Sequence, residues 1–179
     1  MRRMVAAAGS AVFFVVAPGT IAGLVPWQLT GWRVGQPPFW MPVRVFGLAL
    51  FAAGVIVLVQ AFARFVREGL GTPAPVAPPE GLVIGGLYRR VRNPMYLAVV
   101  ATILGQGLVL ARPVLFPYAA LVLAAMAAFV LGYEQPTLRR RFGASYEAYR
   151  RAVPAWWPRL RPWRPEDGDR QDGGPGRPG

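Results

Sequence analysis

The chain is 179 residues long, 54% hydrophobic and only 16% charged, where a soluble globular domain carries roughly 25% charged residues. Its net charge of +12 comes from 20 arginines and no lysine, gathered outside long apolar runs, which points to a membrane protein with one basic face and not to a nucleic-acid binder. Cysteine and histidine are both absent and no aspartate precedes Asp167, which excludes disulfides, thiolate chemistry, the commonest general base and the commonest metal ligand.

Met4 to Val25 has no charge and is long enough at about 1.5 Å per residue to cross a hydrocarbon core of roughly 30 Å. It is too long for the apolar core of a signal peptide, and Pro18-Gly19 sits inside it rather than at a cleavage site. Trp27 to Pro42 reads as a loop whose aromatics suit the membrane interface. A second span is expected from about Val45 to Phe65. Glu68 to Pro94, with its TPAPVAPP stretch, is too proline-rich for helix. Met95 to Tyr133 holds two apolar segments separated by Ala111-Arg112-Pro113, the first of them short, which predicts a tight helical hairpin that barely spans.

Arginine placement orients these segments. Seventeen arginines fall on one side and three, Arg33, Arg44 and Arg112, on the other. The positive-inside rule then predicts a multi-pass cell-membrane protein with four spans and both termini in the cytoplasm. Beyond the hairpin, Leu138, Phe142, Tyr146, Tyr149 and Val153 recur at helical spacing among arginines, the pattern of an amphipathic helix lying in the interface. Trp156, Trp157 and Trp163 continue that character. The fold expected is therefore an all-α integral membrane protein of about four transmembrane helices, with a C-terminal helical hairpin and an interfacial amphipathic helix. Residues 1–70 form the N-terminal spans, 71–164 the hairpin and cytoplasmic segment, and 165–179 a disordered tail with nothing to bury.

Three groups of residues could carry chemistry. Glu134 is the only acid between Glu80 and Glu147 and lies where the fourth span meets the cytoplasm. An ionisable group there is costly unless paired or functional; the plain alternative is a surface pair with Arg139 or Arg140. The second group is LYRRVRNPMY. Pro94 pre-sets the first turn of a helix and Asn93 can cap it. The free N–H groups at that end, with Arg92, favour a carboxylate or phosphate. A merely topogenic arginine cluster explains Arg89 and Arg90 but leaves Tyr88 and Tyr96 unexplained. Tyr146 and Tyr149 form the third group and are otherwise accounted for as an interfacial stripe. Gly105 and Gly107 read as helix-packing positions, and Gln106 as a polar group at membrane depth in need of a partner.

Taken together, GTPAPVAPPEGLVIGGLYRRVRNPMYLA, the hairpin, and YEQPTLRRRFGASYEAYRRAVPAWWPR resemble the isoprenylcysteine carboxyl methyltransferase and phospholipid methyltransferase superfamily of integral-membrane enzymes. The likeness covers roughly Gly71 to Arg159. It implies S-adenosylmethionine as cofactor, enclosed by the last hairpin and the cytoplasmic segment, and a membrane lipid or other lipid-like acceptor, with no metal and no nucleic acid. Residue by residue, the superfamily's motifs fall on Tyr88, Arg89, Arg92, Asn93, Pro94 and Tyr96; on Glu134 and Gln135; and on Phe142, Gly143, Tyr146 and Tyr149. The resemblance thus implies cofactor contacts from Tyr88, Arg92, Asn93, Pro94, Tyr96, Glu134, Gln135, Tyr146 and Tyr149, with Arg92 and Glu134 at the reacting centre. Asn93 stands where the superfamily has histidine, keeping a hydrogen-bonding group but no titratable one. Gln135 replaces a second glutamate and removes one negative charge. Two other readings stay open on the sequence: a nicotinamide-dependent membrane reductase of the sterol-reductase type, and a non-catalytic membrane scaffold.

Overall fold

The computed structural model describes residues 16–35, 41–67, 82 and 84–164, and among these every regular element is helical. Residues 16–19 lead through a π-helical turn, Thr20–Leu24, into a short helix α1, Val25–Thr30. The long helix α2 is Met41–Arg67. A 3₁₀ turn, Gly86–Arg89, precedes α3, Pro94–Leu110. Helix α4, Leu115–Phe129, passes through a second π-helical turn, Val130–Glu134, into α5, Gln135–Ala152.

Two helices are long and apolar enough to cross a bilayer: α2 over Met41–Ala61, and the helix that begins at Leu115. Helix α3, with 17 residues, is a shorter apolar helix, about 25 Å long at roughly 1.5 Å per residue. Many large apolar side chains on these helices face outward, among them Val45, Phe46, Leu48, Ile56, Leu121 and Leu131, as expected where lipid replaces water. Most of the expected first span, of the proline-rich connection, and all of the tail from 165 lie outside the described residues.

The expected loop from Trp27 begins later than the sequence suggested. Pro26 follows the π-helical turn directly and, lacking an N–H, leaves the Ala22 carbonyl without its usual helical donor. The Thr30 hydroxyl donates to Pro26 O at 2.7 Å, and Gly31 ends the helix with φ 58°, a left-handed conformation that glycine adopts without penalty.

Glycine sets the packing of α2 on α3. A Cβ at Gly105 would lie 2.6 Å from Phe51 N and 2.8 Å from Gly47 O, and one at Gly54 would lie 2.8 Å from Ala98 O. The two backbones therefore touch, the geometry that small residues permit between membrane helices. Gly107 does the same more loosely against Leu115 and Phe116 of α4. Leu58, Ala98, Val99, Ile103, Leu115, Ala119 and Val122 form the core where α2, α3 and α4 meet.

Gln106, the polar residue expected to need a partner, donates from Nε2 to Ala22 O at 2.7 Å, and the Tyr118 hydroxyl donates to Ile21 O at 2.8 Å. Both acceptors lie in the first π turn, whose wider winding breaks the usual i→i−4 carbonyl pairing. The second π turn has an evident cause in Pro136, which lacks an N–H and whose ring would collide with the carbonyl four residues before it. Instead, Gln135 N–H bonds to Val130 O, five residues back.

Candidate functional site

The site gathers where α3 begins. Pro94 occupies its first turn and contributes no N–H, so the amides of Met95 and Tyr96 are first-turn donors without an intrahelical acceptor. Asn93 holds the N-cap position, and its carbonyl accepts the Leu97 N–H at 3.2 Å. Its side chain does not cap the helix, contrary to expectation. The residue is 6% exposed, and its Nδ2 is buried with no hydrogen-bond partner. A buried donor left without an acceptor costs about 1–3 kcal/mol, so this atom marks a place where an acceptor belongs.

Glu134 comes to the same place from the end of the second π turn. Its Oε2 accepts the Tyr96 hydroxyl proton at 3.0 Å, across 38 positions of sequence. The plain alternative of a surface pair with Arg139 does not describe the structure, since Arg139 Nε lies 2.6 Å from Glu147 Oε1. Arg92 is close enough to attract the Glu134 carboxylate, and Tyr88 is within electrostatic range of both Tyr96 and Tyr149. Gln135 opens α5 directly after Glu134.

Arg92 is anchored by the C-terminal segment. Its Nε donates to Val153 O at 2.9 Å and its Nη1 to the Tyr146 hydroxyl at 3.4 Å. A guanidinium carries five N–H donors, so the planar group keeps donors for a ligand while its orientation is set. Tyr149 Oη donates to Tyr88 O at 2.7 Å, and its ring packs on Trp163 at 5.7 Å between centroids. Burial pushes the Tyr146 phenol above its ordinary pKa against the pull of Arg92, and burial also raises Tyr149. Both therefore stay neutral at physiological pH and act as hydrogen-bonding groups rather than bases.

These two tyrosines are not an interfacial stripe. With Val153 and Trp163 they form a second core, covered by Leu82, Ile84, Leu138 and Phe142. The helix that carries them is also not continuous. Gly143, at φ 49° and ψ −123°, breaks α5 into two parts that meet at a kink. Glu147 ties the parts together, pairing with Arg139 before the kink and with Arg150 at 3.1 Å after it.

Sequence reasoning named no residue of Val153–Trp163 in the site, although the resemblance implied that the cytoplasmic segment encloses the cofactor. Arg92 N–H donates to Pro154 O and Asn93 N–H to Ala155 O, while Arg159 N–H and Trp163 N–H donate to the carbonyls of Arg90 and Arg89. Arg90 Nη1 adds a bond to Leu160 O at 2.8 Å. Prolines 154, 158 and 162 were the available signal, since they forbid helix and leave carbonyls open to an adjacent strand of chain. The arrangement brings backbone amides, a guanidinium and a carboxylate to the start of α3, partly buried. It suits a ligand carrying both an anionic and a cationic group. Among the described residues no cluster of acids could hold a metal ion.

The profile of the Phospholipid methyltransferase family matches residues 43–145, more than half of the chain. No curated protein and no solved structure gives a significant match. The match begins in α2 and runs through α3, α4, Glu134 and the first half of α5. This chain belongs to the phospholipid methyltransferase family, and is a membrane methyltransferase of that integral-membrane superfamily.

Proposed function

We propose that the protein transfers a methyl group from S-adenosylmethionine to a lipid-like or isoprenoid acceptor at the cytoplasmic face of the membrane, with four spans and both termini cytoplasmic. The observation that carries this reading is the unpartnered Asn93 Nδ2, buried at the N-terminus of α3, next in sequence to Arg92 and three residues before Tyr96, whose hydroxyl bonds Glu134. An amino-acid cofactor with a carboxylate and two positive centres fits that donor set and that carboxylate.

In this reading Asn93 Nδ2, the first-turn amides of Met95 and Tyr96, and the free edge of Arg92 receive the cofactor's carboxylate. Glu134, held by Tyr96, balances the positive charge of its ammonium or sulfonium. Tyr88, Pro94 and Gln135 line the approaches, and Tyr146 and Tyr149 hold Arg92 and the Tyr88 backbone in place. When bound, S-adenosylmethionine supplies a methyl group already activated by a cationic sulfur, so the chain need only orient the acceptor and exclude water. That requirement suits a site without histidine. The short α3 and the lipid-facing apolar surfaces support entry of an acceptor from the bilayer.

Calorimetric titration of S-adenosylmethionine into the purified full chain in nanodiscs tests the reading, alongside Glu134→Ala and Arg92→Ala. Saturable binding that both substitutions weaken is expected. Absence of binding by wild type with an intact helical circular-dichroism spectrum would overturn the proposal.

A further inference from the structure

The stretch Val153–Trp163 has no regular helix, yet it is held in place. Arg92 and Asn93 donate backbone N–H bonds to Pro154 and Ala155 at 2.9 and 3.3 Å, and Trp163 N–H reaches Arg89 O at 2.9 Å. Arg159 Nη1 donates to Ala152 O at 2.7 Å and Arg90 Nη1 to Leu160 O at 2.8 Å. These bonds set the stretch level with the first turn of α3. That helix has 17 residues, about 25 Å against a hydrocarbon core of roughly 30 Å, so its first turn lies close to the water–lipid boundary.

From this pinned backbone Trp157 and Leu160 project outward, 81% and 91% exposed, the two most exposed large apolar side chains among the described residues. Their carrier is not loose, so the exposure is built into the fold. The surroundings are uniformly basic. Arg151, Arg161 and Arg164 are exposed, and residues 148–164 contain no acid. Tryptophan and leucine beside arginines at the boundary of a bilayer match the interfacial layer, where apolar rings sit among headgroups and guanidinium groups meet phosphate.

We propose that Trp157 and Leu160 form a membrane anchor, inserting into the bilayer leaflet on the side where α3 begins, with Arg151, Arg161 and Arg164 against anionic phospholipid headgroups. The anchor stands on the same residues that cover Arg89–Asn93, so seating it on the lipid surface also holds that cover closed. This inference does not depend on the cofactor or acceptor.

The absence of cysteine makes the test direct. Trp157→Cys and, separately, Leu160→Cys are spin-labelled in the full chain in nanodiscs of phosphatidylcholine, with or without phosphatidylglycerol. The exposed Ser145→Cys, on the neighbouring helix α5, serves as the reference. Collision with oxygen and with a water-soluble nickel chelate reports the depth of each label. Expected is a several-fold loss of nickel collisions at 157 and 160 relative to 145, deepened by phosphatidylglycerol. Labels at 157 and 160 as open to nickel as at 145, in both lipids, would overturn the anchor. Protection unaffected by phosphatidylglycerol would overturn the role of the arginines. Spin–spin broadening between labels would show a second copy of the chain covering the patch, and would overturn the proposal too.

Discussion

Asn93 separates what the fold needs from what a ligand needs. Its backbone serves α3, through the bond to Leu97 N–H, while its Nδ2 serves no group of the protein. Asn93→Ala removes this unpaired buried donor and is therefore expected to leave the thermal midpoint of the free protein unchanged or to raise it. It should weaken S-adenosylmethionine binding about five- to thirtyfold, the loss of one hydrogen bond worth about 1–2 kcal/mol. Thermal unfolding and titration of the same preparation check both halves, and unchanged affinity would remove Asn93 from the site. The residues of this site were mostly legible in the sequence because they are rare types in rare places: one acid in a long basic and apolar region, and an arginine–asparagine–proline run before an apolar segment. Their pairings were not legible. Tyr96 and Glu134 stand 38 positions apart, and no local pattern tells a carboxylate whether it meets a tyrosine or Arg139.

At the scale of elements, the closest contact is that of α2 with α3. Gly54→Val would drive a branched side chain into the Ala98 carbonyl and Thr102, and overpacking of this kind costs about 1–3 kcal/mol. Gly19→Ala, with nothing within 4 Å of its new Cβ, is expected to be neutral or slightly stabilising. Thermal unfolding in detergent distinguishes the two, and equal midpoints would show that α2 and α3 do not depend on that contact. Across the Gly143 kink, Glu147→Gln removes the bridge to Arg139 and Arg150. Desolvation raises the Glu147 pKa slightly, but the Arg150 hydrogen bond and the charges of Arg139 and Arg150 outweigh it, so its carboxyl lies below the ordinary glutamate value. Its contribution is then complete above that ordinary value and disappears as pH falls through the depressed one. Wild type should be slightly more stable than Glu147→Gln at neutral pH, and the gap should close in acid; a gap that persists in acid would refute the bridge. The apolar helices α2, α3 and α4 were read from composition and length to within a few residues. The kink was not, because a spacing of four, four, three and four residues is equally consistent with one straight helix.

For the whole molecule, the cover made by Val153–Trp163 lies beyond the matched region and bonds back to Arg89–Asn93 inside it. Ending the chain after Val153 removes the acceptors at Pro154, Ala155 and Leu160 and the Trp163 ring that packs on Tyr149. S-adenosylmethionine binding is expected to fall below detection while the helical content of α2, α3 and α4 survives, measured by titration and circular dichroism. Full affinity in the shortened chain would show that the cover is dispensable. The sequence by itself determined that this is a membrane protein, helical in its described residues, which side chains are available for chemistry, and where the apolar helices α2, α3 and α4 lie. Hydrophobicity, proline and glycine act locally, so these features are readable one segment at a time. Only the tertiary structure decided that Tyr146 and Tyr149 are core rather than interfacial, that Gln106 and Tyr118 bond the carbonyls of a π turn, and that an irregular proline-rich stretch closes over Arg89–Asn93. Each of these is a contact between segments far apart in the chain. Backbone carbonyls make several of them, and a carbonyl has no identity in the sequence.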